Sequence, residues 1–326
     1  LTGFTGSNAL LIITQRSSAF LSDVRYTLQA GKEVKGCKRI IITQIGLYEE
    51  AAARELLSGS GKTGFESNQI TYAQYRVLRR LFPETSFAST ADIVENVMLV
   101  KDEMEIESIR RAAKISDKVF HEVLDKIRPG VTELEVAAEI SFLHKRYGAQ
   151  RDAFEIIVAS GIRGAFPHAR ASRKKIRSGE FVTLDFGCVI DGYNSDITRT
   201  VAVGTVSSRA KRIYQVVKDA QQEAIDAARG SMWAKDLDAI ARKRIERGGL
   251  GKYFNHSLGH GLGLQVHERP KVSQLSKERL RSGSVITIEP GVYVPDFGGV
   301  RIEDDVLLND AGCQVLNGAP KELITL

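Results

Sequence analysis

The chain has 326 residues, of which 43% are apolar and 26% charged, with a formal charge of +6. That length allows two domains with separate cores, and the composition is that of a soluble globular protein. No apolar run approaches the ~20 residues of a membrane span. The basic residues are scattered and form no nucleic-acid motif. Cys37, Cys188 and Cys313 are too far apart for a disulfide framework or a cysteine zinc site and fit a reducing, cytoplasmic compartment.

Residues 1–100 read as a small α/β domain. Strands are predicted at Leu10–Thr14, Ala19–Leu21 and Arg39–Thr43, and helices at Tyr48–Leu57 and Ile70–Leu81, the last stopped by Pro83. The run SGSGKTG between the helices lacks the first glycine of a phosphate loop and a convincing strand before it, so nucleotide binding is not expected. The chain begins at Leu1 without Met, in a glycine-bearing segment that reads as the middle of a domain, so preceding residues are expected to be missing.

The character changes after Val100. Ile106, Ile109, Ala113, Ile115, Val119 and Val123 carry helical spacing, ended by Arg128-Pro129-Gly130. Thr132 and Glu135 form a capping box for a second helix reaching about Tyr147. Strands are predicted at Phe154–Ala159 and Phe181–Phe186, helices at Arg209–Ala228 and Ala234–Glu246, then strands near Val266, at Val285–Glu289 and at Val306–Leu308. Residues 101–326 are therefore an α+β domain. Each half offers helices followed by acid-bearing strands, a weak echo that would set two pairs of acids across one cleft.

Five residues of this domain stand out: Asp185 in LDFG, Asp196 in NSDITRT, His260 in GHGLGLQVHE, Glu289 in TIEPG and Glu303 in GVRIEDD. The four acids lie in or beside apolar runs. A carboxylate there costs several kcal/mol to desolvate unless a positive charge faces it. Arg301, two residues before Glu303, is a cation nearby in sequence. Four acids and an imidazole suffice to hold two divalent ions that share carboxylates, which implies hydrolysis by a bridging water. The turn DGYN would fold Asp185 and Asp196 back to one point. Glycines around His260 allow close packing and favour it over His256 and His267 as a ligand, leaving His267 to donate to a carbonyl or oxyanion. His168, after Pro167, could reach over the cleft, and Tyr293 could line it.

These segments resemble the pita-bread metallopeptidases (peptidase family M24), which include methionine aminopeptidase, Xaa-Pro aminopeptidase and Xaa-Pro dipeptidase, or prolidase. The opening LTGFTGSNALLII and LSDVRYTLQA are similar to the smaller, creatinase-like N-terminal domain of the proline-specific branch. The resemblance implies a pita-bread catalytic domain over 101–326. Asp185 would hold one metal, Asp196 and Glu303 would bridge two, and His260 and Glu289 would complete the other shell. His168 would bind substrate, His267 and Arg301 would position it, and His256 and Tyr293 would occupy outer positions.

The expected activity is that of a dinuclear Xaa-Pro aminopeptidase, with Glu289 as proton shuttle. GFTGSNA favours that label over the alternative, Xaa-Pro dipeptidase. A metal-free peptide-binding module of the same fold is a remote alternative. Manganese is the first choice of metal because the ligands are oxygen-rich, ahead of cobalt, zinc or iron. Substrates would be proline-containing peptides, with no nucleic-acid or membrane partner. A homodimer is expected, in which residues 1–100 limit substrate size.

Overall fold

The computed structural model describes residues 1–43 and 46–326. It divides into two compact units, Leu1–Ile93 and Val94–Leu326.

In the small unit β1 (Ala9–Ile13), β2 (Ser18–Asp23) and β3 (Lys38–Ile42) form one sheet, with β1 antiparallel and β3 parallel to β2. Helix α1 (Thr27–Glu33), unforeseen from sequence, makes the crossover from β2 to β3. Helix α2 (Leu47–Ala53) ends earlier than expected, and Glu55 just beyond it adopts a positive φ. Two further unforeseen strands, β4 (Lys62–Glu66) and β5 (Ser86–Thr90), pair in parallel around α3 (Tyr72–Leu81). Both strands are short and carry polar residues, so their apolar pattern is weak. Gly61 leads into strand β4 and not into a helix, so SGSGKTG lacks the helix N-terminus that a phosphate loop needs.

A short helix α4 (Ile93–Met98) precedes α5 (Glu103–Val123) and α6 (Glu133–Arg146). The Thr132–Glu135 capping box forms as the sequence implies. After β6 (Arg151–Asp152) come β7 (Ile157–Ser160), β8 (Glu180–Phe186), β9 (Cys188–Ile190), β10 (Tyr193–Asn194) and β11 (Ile197–Val203). Antiparallel β7, β8 and β11 form one sheet, and β6, β9 and β10 another. Val119, Phe120 and Val123 of α5 join Val136, Ile140 and Leu143 of α6 in a core against Val182, Leu184 and Phe186. Each such side chain contributes about 1.5–3 kcal/mol when fully buried.

In the second half two helices again precede most of the strands. Helices α7 (Ser208–Ala227) and α8 (Ala234–Arg247) pack on a sheet of β12 (Gly259–Gly261), β13 (Glu268–Val272), β14 (Val285–Ile288), β17 (Asp304–Leu308) and β18 (Cys313–Val315). The hairpin of β15 (Gly291–Val294) and β16 (Gly298–Arg301) lies between β14 and β17 in the chain. The strand expected near Val266 is instead the turn between β12 and β13. Gly259 and Gly261 make so close a pairing feasible: a Cβ at either would strike a backbone carbonyl, of Thr287 or Arg269. An antiparallel bridge between Thr198 and Glu303 joins the two halves. Among the described residues no helix is long and apolar enough to cross a membrane.

Candidate metal centre

Asp185 lies near the end of β8, opposite Thr198. The chain leaves β9 through Asp191 and Gly192, both with positive φ, and returns with Tyr193 opposite Ile190. This two-residue turn brings Asp196 back beside the end of β8, as DGYN implied. The N–H of Asp196 donates to Asp305 Oδ2 at 3.0 Å, while its Oδ1 is buried without a partner. Glu303, between β16 and β17, accepts from Thr198 Oγ1 at 2.5 Å.

His260 sits on β12. Its Nδ1 lies 3.0 Å from the Gly261 carbonyl and, as the donor there, leaves Nε2 with a free lone pair. Nε2 is 3.3 Å from Glu289 Oε1 and 3.9 Å from Asp196 Oδ2. Glu289 follows β14 and is held by its N–H donating to Leu258 O at 2.8 Å. Thr287 Oγ1 accepts from the His260 N–H at 3.1 Å and donates to Glu289 Oε1 at 3.3 Å, tying the two residues together.

Asp196, His260 and Glu303 each offer a ligand atom within 4.8 Å of the others. Asp185 and Glu289 line the same cleft, of about 620 Å³, together with His168, His256, His267, Tyr293 and Arg301. The structure thus gathers every site residue predicted from sequence into one cavity. Asp185, outside that three-residue cluster, is ion-paired to Arg301.

Burial, reinforced by repulsion from neighbouring acids, raises the pKa values of Asp196 and Glu303 well above the ordinary carboxylate range. Burial pushes Glu289 up to about 8. The same desolvation, with His267 nearby, lowers His260 to about 4. Burial thus favours the protonated form of these carboxylates and the neutral form of His260. An unpartnered buried carboxylate oxygen, an imidazole lone pair and clustered acids suit a divalent cation.

Around this centre the polar groups are ordered. Arg301 donates to Asp185, to Tyr293 Oη at 2.7 Å, to Thr198 Oγ1 at 3.1 Å and to the Pro167 carbonyl at 3.2 Å. Tyr293 Oη lies 3.0 Å from His256 Nε2, whose Nδ1 is 2.7 Å from the Ser257 carbonyl. Burial and the Arg301 charge lower His256 to about 3, so it is neutral and can accept a hydrogen bond from the tyrosine hydroxyl. The His267 ring contacts that of His260, at 4.4 Å between centroids. Sequence reasoning missed Thr198, Thr287 and Asp305. The first two carried a signal, since each lies on a strand two residues from a candidate ligand that flanks the strand's end. Asp305 is likewise two residues from Glu303, but its contact with Asp196 crosses 109 positions of sequence and has no local signal.

Residues 107–310 match the model of metallopeptidase family M24, and residues 1–99 that of the creatinase/prolidase N-terminal domain. The chain belongs to family M24. It is a metal-dependent exopeptidase with the pita-bread catalytic fold, preceded by the smaller domain of the proline-specific branch. An Xaa-Pro dipeptidase of Pyrococcus horikoshii is 44% identical over 268 residues, covering 82% of this chain and 76% of that protein. The solved Xaa-Pro dipeptidase from Bacillus anthracis superposes with a TM-score of 0.95 at 41% identity, covering 100% of this chain and 91% of that one. An X-Pro aminopeptidase from Thermotoga maritima gives a TM-score of 0.93 at 35% identity, covering 100% and 92%.

Among such M24 relatives, names specifying dipeptidase or prolidase predominate. This overturns the aminopeptidase expectation in favour of its alternative. The expectation leaned on GFTGSNA, and those residues have work inside the small unit. Thr5 donates through N–H and Oγ1 to Glu33, at 2.8 and 2.9 Å, and Ser7 Oγ is 2.7 Å from Tyr26 Oη.

Proposed function

We propose that the chain is an Xaa-Pro dipeptidase that works with two divalent ions, manganese first among them. The observation that carries the metal part is the approach of His260 Nε2 to Glu289 and Asp196 inside a group of buried acids. The predominance of dipeptidases among its relatives supports the substrate class.

Asp185, Asp196, His260, Glu289 and Glu303 would hold the ions. When bound, the ions would supply an acidified water and Lewis acidity toward the scissile carbonyl. Glu289 would take the proton of the attacking water and deliver it to the departing proline nitrogen. His267 would donate its ring N–H to the oxyanion. His168, in the cleft lining, would orient the substrate. Arg301, Tyr293 and His256 would act behind these groups by fixing Asp185. Assembly as a homodimer and a cytoplasmic location belong to the same proposal, and light scattering and cell fractionation test them.

The deciding experiment compares an Xaa-Pro dipeptide with an Xaa-Pro-Xaa tripeptide at equal concentration on manganese-loaded protein. Preferential turnover of the dipeptide is expected. Equal or faster release of the first residue from the tripeptide would sink the reading.

A further inference from the structure

Glu133 lies outside the cleft lining, yet it organises the segment that carries His168. It occupies the first turn of α6 and is fully buried. Its Oε1 accepts from the N–H and Oγ of Ser160, at 2.8 and 2.9 Å. Its Oε2 accepts from Arg163 Nε at 2.9 Å and from the N–H and Oγ of Ser172, at 3.1 and 2.6 Å. Ser160 and Arg163 lie where the chain leaves β7, and Ser172 lies where it returns. One carboxylate therefore closes the base of the segment 161–171.

Neighbouring contacts extend this closure. Arg163 Nη2 donates to the Arg170 carbonyl. The N–H groups of Glu133 and Leu134 donate to the carbonyls of Lys174 and Ser172, at 3.1 and 3.0 Å. Farther along, Gly164 meets Gly299 of β16 so closely that a Cβ on Gly299 would strike the Gly164 carbonyl. Arg301 Nη1 reaches the Pro167 carbonyl at 3.2 Å. His168 and Arg170 then line the cleft. The His168 side chain is exposed, so the backbone of this segment sets where its ring lies.

We propose that Glu133 is a positioning residue that fixes the base of segment 161–171 and so holds His168 in the cleft wall. The functional consequence rests on the reading of His168 as a substrate-orienting group. Without the clamp, the segment would occupy its binding-competent arrangement for only a fraction of the time, and apparent affinity would fall by that fraction.

The test uses the full chain. Hydrogen exchange at residues 161–171 is measured in metal-free protein, and KM, kcat and bound metal are measured with manganese and an Xaa-Pro dipeptide. Glu133→Gln keeps the shape but turns an N–H₂ group toward the donors. It should speed exchange in that segment and raise KM about tenfold, with kcat changed less than about twofold and bound metal unchanged. In a His168→Ala background the same substitution should leave KM unmoved. Ser172→Ala, which removes one donor and keeps the carboxylate, should act in the same direction more weakly, and it decides the matter if the glutamine variant does not fold. Unchanged exchange, or an equal rise in KM with and without His168, would overturn the role. If His168→Ala alone alters neither KM nor kcat, the reading of His168 fails, and the exchange data still decide whether Glu133 holds the segment.

Discussion

Arg301 is ion-paired to Asp185, with both side chains buried in the cleft wall. Three more of its N–H groups reach Tyr293, Thr198 and the Pro167 carbonyl. Removing one partner of a buried ion pair costs about 3–5 kcal/mol because the other charge is stranded. Arg301→Ala should therefore lower the stability of the metal-free chain by about that amount. Divalent ions would compensate Asp185 in its place, so manganese should recover much of the loss. Urea denaturation with and without manganese measures both. A loss that is unaffected by the metal would contradict Asp185 as a ligand.

The metal-free chain should lose stability as pH rises. Glu289 titrates ordinarily near 4.5, and burial takes it to about 8 in the folded chain. The folded state therefore holds a proton that the unfolded state has released, and across that interval stability falls with pH. The contribution is complete below about 4.5 and lost as pH passes through about 8. Asp196 and Glu303 are shifted the same way. Thermal melts of chelator-treated protein should show a falling Tm from pH 5 toward pH 8, in steps of roughly half a unit. Glu289→Gln should flatten the curve. An identical slope in that variant would be inconsistent with the assignment.

Thr198 donates to Glu303 Oε2 and accepts from Arg301 Nε. Thr198→Val preserves the β-branched shape while deleting both bonds. Metal affinity should fall about 10- to 100-fold, the usual effect of removing a group that orients a ligand. Competition with a chelator of known affinity reads this directly. Unaltered affinity would remove Glu303 from the ligand set or show that Thr198 does not orient it.

Gly259→Ala places a methyl group against the Thr287 carbonyl across β12 and β14. Backbone cannot yield as a flexible side chain does, so the change should cost about 1–3 kcal/mol by overpacking. It should also loosen His260 and weaken metal binding. Denaturant midpoints and metal content check the two effects separately. A variant with native stability would show that the strands can separate without penalty.

The main helices and the acid-bearing strands were legible in the sequence. The spacing from Ile106 to Val123 and the Thr132–Glu135 capping box led to α5 and α6, because both signals act within a few residues. The hairpin joining Asp185 to Asp196 was legible for the same reason. Acids inside apolar runs indicated a cation because an uncompensated buried charge is costly in any fold. Short-range pattern did not reveal β4 and β5, whose pairing supplies what their composition lacks, or β12, whose glycines suit a strand only beside Thr287 and Arg269. Nor could it choose the partner of Arg301, since alternation put Glu303 on the same face while the fold brought Asp185 across 116 positions to meet it. The sequence by itself determined which side chains could bind metal, because charge, donor type and strand period are local properties. Only the tertiary structure decided which of them approach one another, how His260 directs its lone pair, and that Glu133 closes the segment bearing His168, because those relationships depend on long-range strand pairing and burial.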